Sequence, residues 1–169
     1  MKVLETVCDI IQTGMDLKKD QIWIYNQKVD IPNDKRLYAV VSLKSETPIG
    51  NNIFFDPLTQ KENIYTNLVS DVGIEIFSFD VLALNRRYEV LSAMRSTYSL
   101  QKQEENNCNI SRRPISMFDS SFMSPTAKLY SFFYIYKITH VEKYTRSVDY
   151  YDDFSRADMS NKENIKVNL

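Results

Sequence analysis

Glycine is scarce in this chain: 169 residues carry only three, Gly14, Gly50 and Gly73. At the usual frequency of about 7% there would be roughly four times as many. Phosphate-cradling loops place two or three glycines close together, because only glycine lets the backbone approach the phosphates. The three here are far apart, which excludes Walker and Rossmann nucleotide sites. Histidine occurs once, as His140, and cysteine twice, as Cys8 and Cys108. A structural zinc site needs four Cys/His ligands, mostly in close pairs, so no metal or other cofactor is expected. Two distant cysteines do not build a disulfide framework either, and reduced thiols in a cytosolic setting are the expectation. No apolar run approaches the ~18 residues of a membrane span. The N-terminal stretch lacks a signal peptide's apolar core, because Glu5 and Asp9 interrupt it.

An excess of either charge is also missing. Lys and Arg number 21 against 22 Asp and Glu, a net charge of -1. A nucleic-acid-binding surface usually carries a basic surplus. The basic pairs Lys18-Lys19, Lys35-Arg36, Arg86-Arg87 and Arg112-Arg113 are each too small to track phosphates, and read as solvated faces or element ends.

Two amphipathic helices and several strands are present. Val3, Leu4, Val7, Cys8, Ile11 and Met15 predict a helix over 2–16, with Gly14 as its C-terminal cap and Cys8 as a small buried hydrophobe. Residues 22–25 and 37–43 predict strands, separated by polar Asn26-Gln27-Lys28 and a turn around Pro32. The stretch 44–61, with Pro48, Gly50, Asn51-Asn52 and Asp56-Pro57, predicts a long irregular loop whose apolar centre is Ile53-Phe54-Phe55. Such a tip packs on its own domain or on a neighbour. Residues 63–79 alternate as a strand, with Gly73 marking a bulge or bend. Leu84, Tyr88, Leu91, Met94 and Tyr98 predict the second helix, capped by Asp80 or Asn85 and followed by a polar loop over 101–107. Residues 110–118 predict an edge strand carrying Pro114, and 120–126 a turn. Residues 128–144 give the strongest strand signal, one long strand or two joined at a bulge.

The fold class that follows is α+β: an antiparallel or mixed β-sheet packed against two α-helices, with a long loop and a flexible C-terminal tail. The division is an α+β domain over 1–151 and a polar tail or docking arm over 152–169.

Chemistry is sparse. His140 shares a strand face with Tyr136, Ile138 and Glu142, but no sequence feature supplies a general base with its partner. Glu104-Glu105 and Asp152-Asp153 lie in polar segments unsuited to a rigid carboxylate pair. The stripe Tyr130, Phe132, Tyr134, Tyr136 suits either a base-stacking platform or a core or subunit-interface strand. Without interleaved basic residues, core or interface is the reading. No catalytic residue is assigned.

The order of elements resembles the neck or tail terminator proteins of tailed bacteriophages. The layout is a short helix, a strand ending Tyr25-Asn26-Gln27, a loop with Pro32, and a strand from Tyr38. A Pro48-Ile49-Gly50 loop, a strand running to Asp80, a helix and an aromatic strand complete it. The resemblance covers residues 1–150 and rests on layout with Asn26, Pro32, Tyr38 and Gly50; the long 44–61 segment and the tail depart from it. It implies a structural virion protein, assembled in the host cytoplasm, forming a homo-oligomeric ring, six subunits being usual. The ring would end the tail tube and join it to the head connector or portal-associated proteins. DNA would pass through the lumen without specific binding, which the near-neutral charge suits. Interface residues expected on this reading are Ile53, Phe54, Phe55, Tyr134, Tyr136, Tyr150, Tyr151 and Phe154. A head completion or portal adaptor protein and a non-viral intracellular adaptor are the alternatives, with an enzyme acting through His140 as a third.

Overall fold

The structure, a computed structural model, describes residues 2–25, 34–123 and 128–147. The expected N-terminal helix is present as α1 (Lys2–Gly14), and Val7, Ile10 and Ile11 of its apolar stripe are buried. It ends two residues early. Met15 N–H still reaches the Ile11 carbonyl, and Asp16 takes a left-handed φ of 48° before a 3-10 turn over Lys19–Gln21. Gly14 is not the left-handed cap, since no glycine has positive φ. It allows close approach instead: a Cβ there would sit inside van der Waals distance of Ala93 Cβ on a neighbouring helix. Gly14→Ala should therefore lower stability by about 1–3 kcal/mol, as overpacking does. A urea melt matching the parent would refute that packing.

Among the described residues, four helices and seven strands form a mixed α+β fold. After β1 (Ile22–Ile24) comes β2 (Tyr38–Asp56), parallel to β1 with Ile22 opposite Ala39. Next is β3 (Lys61–Ser78), then α2 (Leu82–Arg86), α3 (Glu89–Met94) and α4 (Thr97–Glu105). The remaining strands are β4 (Cys108–Ile110), β5 (Ser116–Asp119), β6 (Phe122–Met123) and β7 (Lys128–Ser147). The sheet order is β1-β2-β3-β7-β4, with β5 and β6 also pairing β7. α1 packs on α3, α4 and β1. The core joins α1 to Ala39 and Val41 of β2, Val72, Ile74 and Ile76 of β3, and Phe132, Tyr134, Tyr136 and Ile138 of β7.

Three expectations are corrected. The 44–61 segment is not an irregular loop: β2 runs on to Asp56 and β3 starts at Lys61, so only four residues turn the hairpin. β1 covers β2 only over Ala39–Val41, and past that point β2 has no outer partner among the described residues. Pro48 lacks a ladder N–H, which costs nothing on such an edge. Second, the helix expected from Leu84 to Tyr98 is three short helices, and the polar 101–107 segment belongs mostly to α4. Ser96 restarts the helix: its extended backbone and its Oγ, accepting from Ser99 N–H at 3.1 Å, make it the cap of α4. Gln101, Lys102, Gln103, Glu104 and Glu105 are sound helix formers despite their polarity. Neither Asp80 nor Asn85 caps α2, which has no side-chain cap. Third, β3 runs straight through Gly73, where a Cβ would lie 2.5 Å from the Phe133 ring and 2.7 Å from Lys44 Cε. The irregularity lies across from it in β2. Lys44 and Ser45 both reach the same face of β3, toward Gly73 and Asp71, so the side-chain alternation switches there as an extra residue would make it.

The edge strand expected over 110–118 divides into β4 and β5 around Pro114, and β7 is one continuous strand. Two compact units result, residues 1–51 with 66–142, and residues 52–65 with 143–169. The tail 152–169 and the 26–33 turn lie outside the described residues.

Candidate functional site

The β2–β3 hairpin carries the most unusual surface. Leu43 to Phe55 of β2 is exposed throughout, and Thr47 to Phe55 contains no charged residue. Ile49, Ile53 and Phe54 are 62%, 58% and 61% exposed, and Leu58 in the turn is 95% exposed. The turn itself is well made. Asp56 accepts from Leu58 N–H at 3.0 Å and from Thr59 Oγ1 at 2.7 Å. Those two bonds, Thr59's first, hold its carboxyl below the usual carboxylate range. In the same unit Phe54 meets the Tyr65 ring edge-on at 5.8 Å, and Lys143 Nζ lies 5.5 Å from that ring's centroid. Arg146 Nε donates to Glu62 Oε2 at 2.5 Å, and Thr145 Oγ1 to Asn63 Oδ1 at 2.9 Å. The β3 side of the hairpin is thus bonded in place while β2 presents apolar side chains and an open edge to solvent. Such an edge binds by adding a strand or by burying its apolar residues.

Ile53, Phe54 and Phe55 are therefore where a partner can reach them. Tyr134 and Tyr136 are not: both are fully buried in the core, so the interface expectation is corrected for these two. Their side of β7 faces the helices, and Tyr134 Oη donates to the Arg87 carbonyl at 2.5 Å. Burial pushes both phenols above their ordinary value, Tyr136 to about 12. Phe132 is buried with them and Tyr130 packs against the same cluster. Tyr150, Tyr151 and Phe154 lie outside the described residues.

A second apolar edge is one the sequence does not announce. Ile115, Met117, Phe118, Phe122 and Met123 are exposed on and beside β5 and β6. The large hydrophobics that follow Pro114 are its only signal. β5 pairs with Phe132–Ile135 of β7, on the side away from β3.

His140 is the one histidine and is buried. Its Nε2 lies 2.9 Å from Ser70 Oγ, which donates to Glu46 Oε1 at 2.8 Å. With the serine proton directed at Glu46, the tautomer that satisfies both contacts has Nε2–H donating to Ser70. A nucleophilic serine would donate to the imidazole instead and would need access, whereas Ser70 has none. Cys108 lies opposite His140 in the β4–β7 ladder. The four side chains form a polar row across one sheet face, suited to satisfying buried groups. Burial pushes the Cys108 thiol up, and burial followed by Glu5 pushes Cys8 to about 12, so neither is a thiolate near neutral pH. Among the described residues no cluster of three His, Cys, Asp or Glu could hold a metal ion, and no helix is long and apolar enough to cross a membrane.

Comparison with protein-family models finds none that matches this chain, and comparison with curated proteins finds no match either.

Proposed function

We propose that this chain is a structural subunit that assembles with copies of itself, head to tail, through two unlike apolar edges of one sheet. The observation that carries this reading is their placement. The free β2 edge, with Leu43 and Ile49, lies on one side of the sheet order, and β5, with Met117 and Phe118, lies on the other. Exposed apolar strands of this kind are an aggregation hazard unless a partner covers them. Unlike edges cannot pair by a two-fold axis; they join head to tail, and such an interface closes into a ring when the rotation permits.

The specific setting comes from the layout resemblance: a ring, six subunits being usual, at the neck of a tailed phage, where the tail tube ends and the head connector begins. A net charge of -1 is compatible with DNA passing through such a ring without being held. The test is the solution mass of the purified chain, alone and with tail tubes added. A ring under either condition is the expected result. A monomer under both, at concentrations up to the millimolar range, would overturn it.

A further inference from the structure

Between α3, α4 and β4 lies an open cleft of about 610 Å³. Met94 and Ile110 form its buried floor, and Leu100 stands exposed at its side. Its remaining character is basic, since Arg95, Arg112 and Arg113 all line it. The sequence shows only the Arg112-Arg113 pair; the fold adds the third guanidinium. Arg95 is set in place by its Nε donating to the Arg112 carbonyl at 2.8 Å. Gln103 beneath them is already satisfied, accepting from Ile110 N–H and donating to Ser99 Oγ. Three other arginines are neutralised, Arg36 by Asp20 and Asp34, Arg86 by Glu89 and Arg146 by Glu62, while Arg87 lies over the Tyr88 and Phe132 rings. None of the three cleft arginines has an acidic partner among the described residues. Three uncompensated guanidiniums beside an apolar floor call for a ligand that is both anionic and apolar.

We infer that the cleft receives the acidic–aromatic segment Tyr150-Tyr151-Asp152-Asp153-Phe154 of a second copy of this chain. Two adjacent carboxylates meet three guanidiniums, whose forked donors suit carboxylate oxygens. The flanking aromatic rings match Met94, Ile110 and Leu100, and can stack on arginine planes. A nucleic acid would want a longer basic track and offers no apolar group for the floor. This inference rests on the assembly reading for its second copy, and it gives the tail a defined acceptor on the neighbour.

The experiment uses full-length chains. Asp152→Lys with Asp153→Lys disables the tail; Arg112→Glu with Arg113→Glu disables the cleft. Arg112 and Arg113 are exposed and the tail substitutions replace one charge by another, so both variants should retain the parent's circular dichroism and melting curve. A fluorescent peptide of residues 148–158 should bind the tail-reversed chain, and at least tenfold more weakly once the cleft is reversed as well. Self-association should fall in each variant alone and recover when a tail-reversed chain with a native cleft is mixed with a cleft-reversed chain with a native tail. Peptide binding with no self-association by the parent or any variant would leave the cleft assigned and sink the assembly reading. Self-association indifferent to both reversals, with no peptide binding, would sink the cleft assignment alone. Capture of a 16-mer single-stranded oligonucleotide in place of the peptide, with steep salt dependence, would also overturn it.

Discussion

Tyr134→Ala should lower the unfolding free energy by about 3–5 kcal/mol, as deletion of a large buried aromatic does. Tyr134 is fully buried, with its ring in the cluster that joins α1 and α3 to the sheet. Two losses combine. The ring's volume cannot be refilled by the surrounding core side chains, which are held on packed helices and strands. The Arg87 carbonyl also loses the hydroxyl that donates to it. Tyr134→Phe isolates that second loss, worth about 0.5–1.5 kcal/mol for one part-buried hydrogen bond. Against a typical total of about 5–15 kcal/mol, the alanine variant stands close to unfolding at 37 °C. Urea denaturation followed by circular dichroism reads both. The outcome separates the two roles a tyrosine stripe can have. An interface tyrosine would leave the melting midpoint unchanged and alter only the association state, and that result would refute the core placement.

Where one element's periodicity settles its environment, the sequence is enough. The α1 stripe Val7-Ile11-Met15 needs no tertiary knowledge, whereas the alternation of β7 marks a strand without saying whether its tyrosine face meets a core or a partner. The hairpin is hidden by a genuine ambiguity. Pro48, Gly50 and Asn51-Asn52 break most strands, but a strand with a free outer edge has no ladder bond for proline to remove. Whether an edge is free depends on how far β1 extends along β2, which is not a property of residues 44–61. The break at Ser96 is similarly concealed, because the apolar spacing from Leu84 to Tyr98 continues straight across it. Gly14 and Gly73 read locally as a cap and a bend. Both instead serve close approach, to Ala93 and to Phe133, partners 79 and 60 positions away along the chain by difference of number. The same distance problem applies to the candidate sites. Ile53, Phe54 and Phe55 form a local run and are legible as an apolar patch, though they sit on β2 and not at the tip of a loop. The β5 edge exists only once β5 has paired with β7, and the meeting of Arg95 with Arg112 and Arg113 only once β4 has docked on α4.

Ile49→Asp combined with Ile53→Asp should abolish self-association while leaving the fold intact. The two side chains are four positions apart on β2, more than half exposed, and part of the core in neither case. Surface substitutions of this kind stay within about 0.5 kcal/mol of the parent stability, so the melting curve should barely move. Phe54 is left alone because it contacts Tyr65, and its removal would confound the result. Burying an isoleucine at an interface contributes about 1.5–3 kcal/mol, so two lost anchors remove about 3–6 kcal/mol per contact. At about 1.4 kcal/mol for each tenfold, that is a weakening of at least a hundredfold, before the cost of desolvating two carboxylates is added. In a closed ring every subunit loses the same contact, so the loss multiplies around the ring and monomer should dominate. Leu58→Asp at the turn is the control: at 95% exposure it tests whether any added charge near the hairpin suffices. Sedimentation across a concentration series separates the cases. A double variant that associates like the parent would show that the β2 edge is not the contact, and would leave only the β5 side to carry assembly.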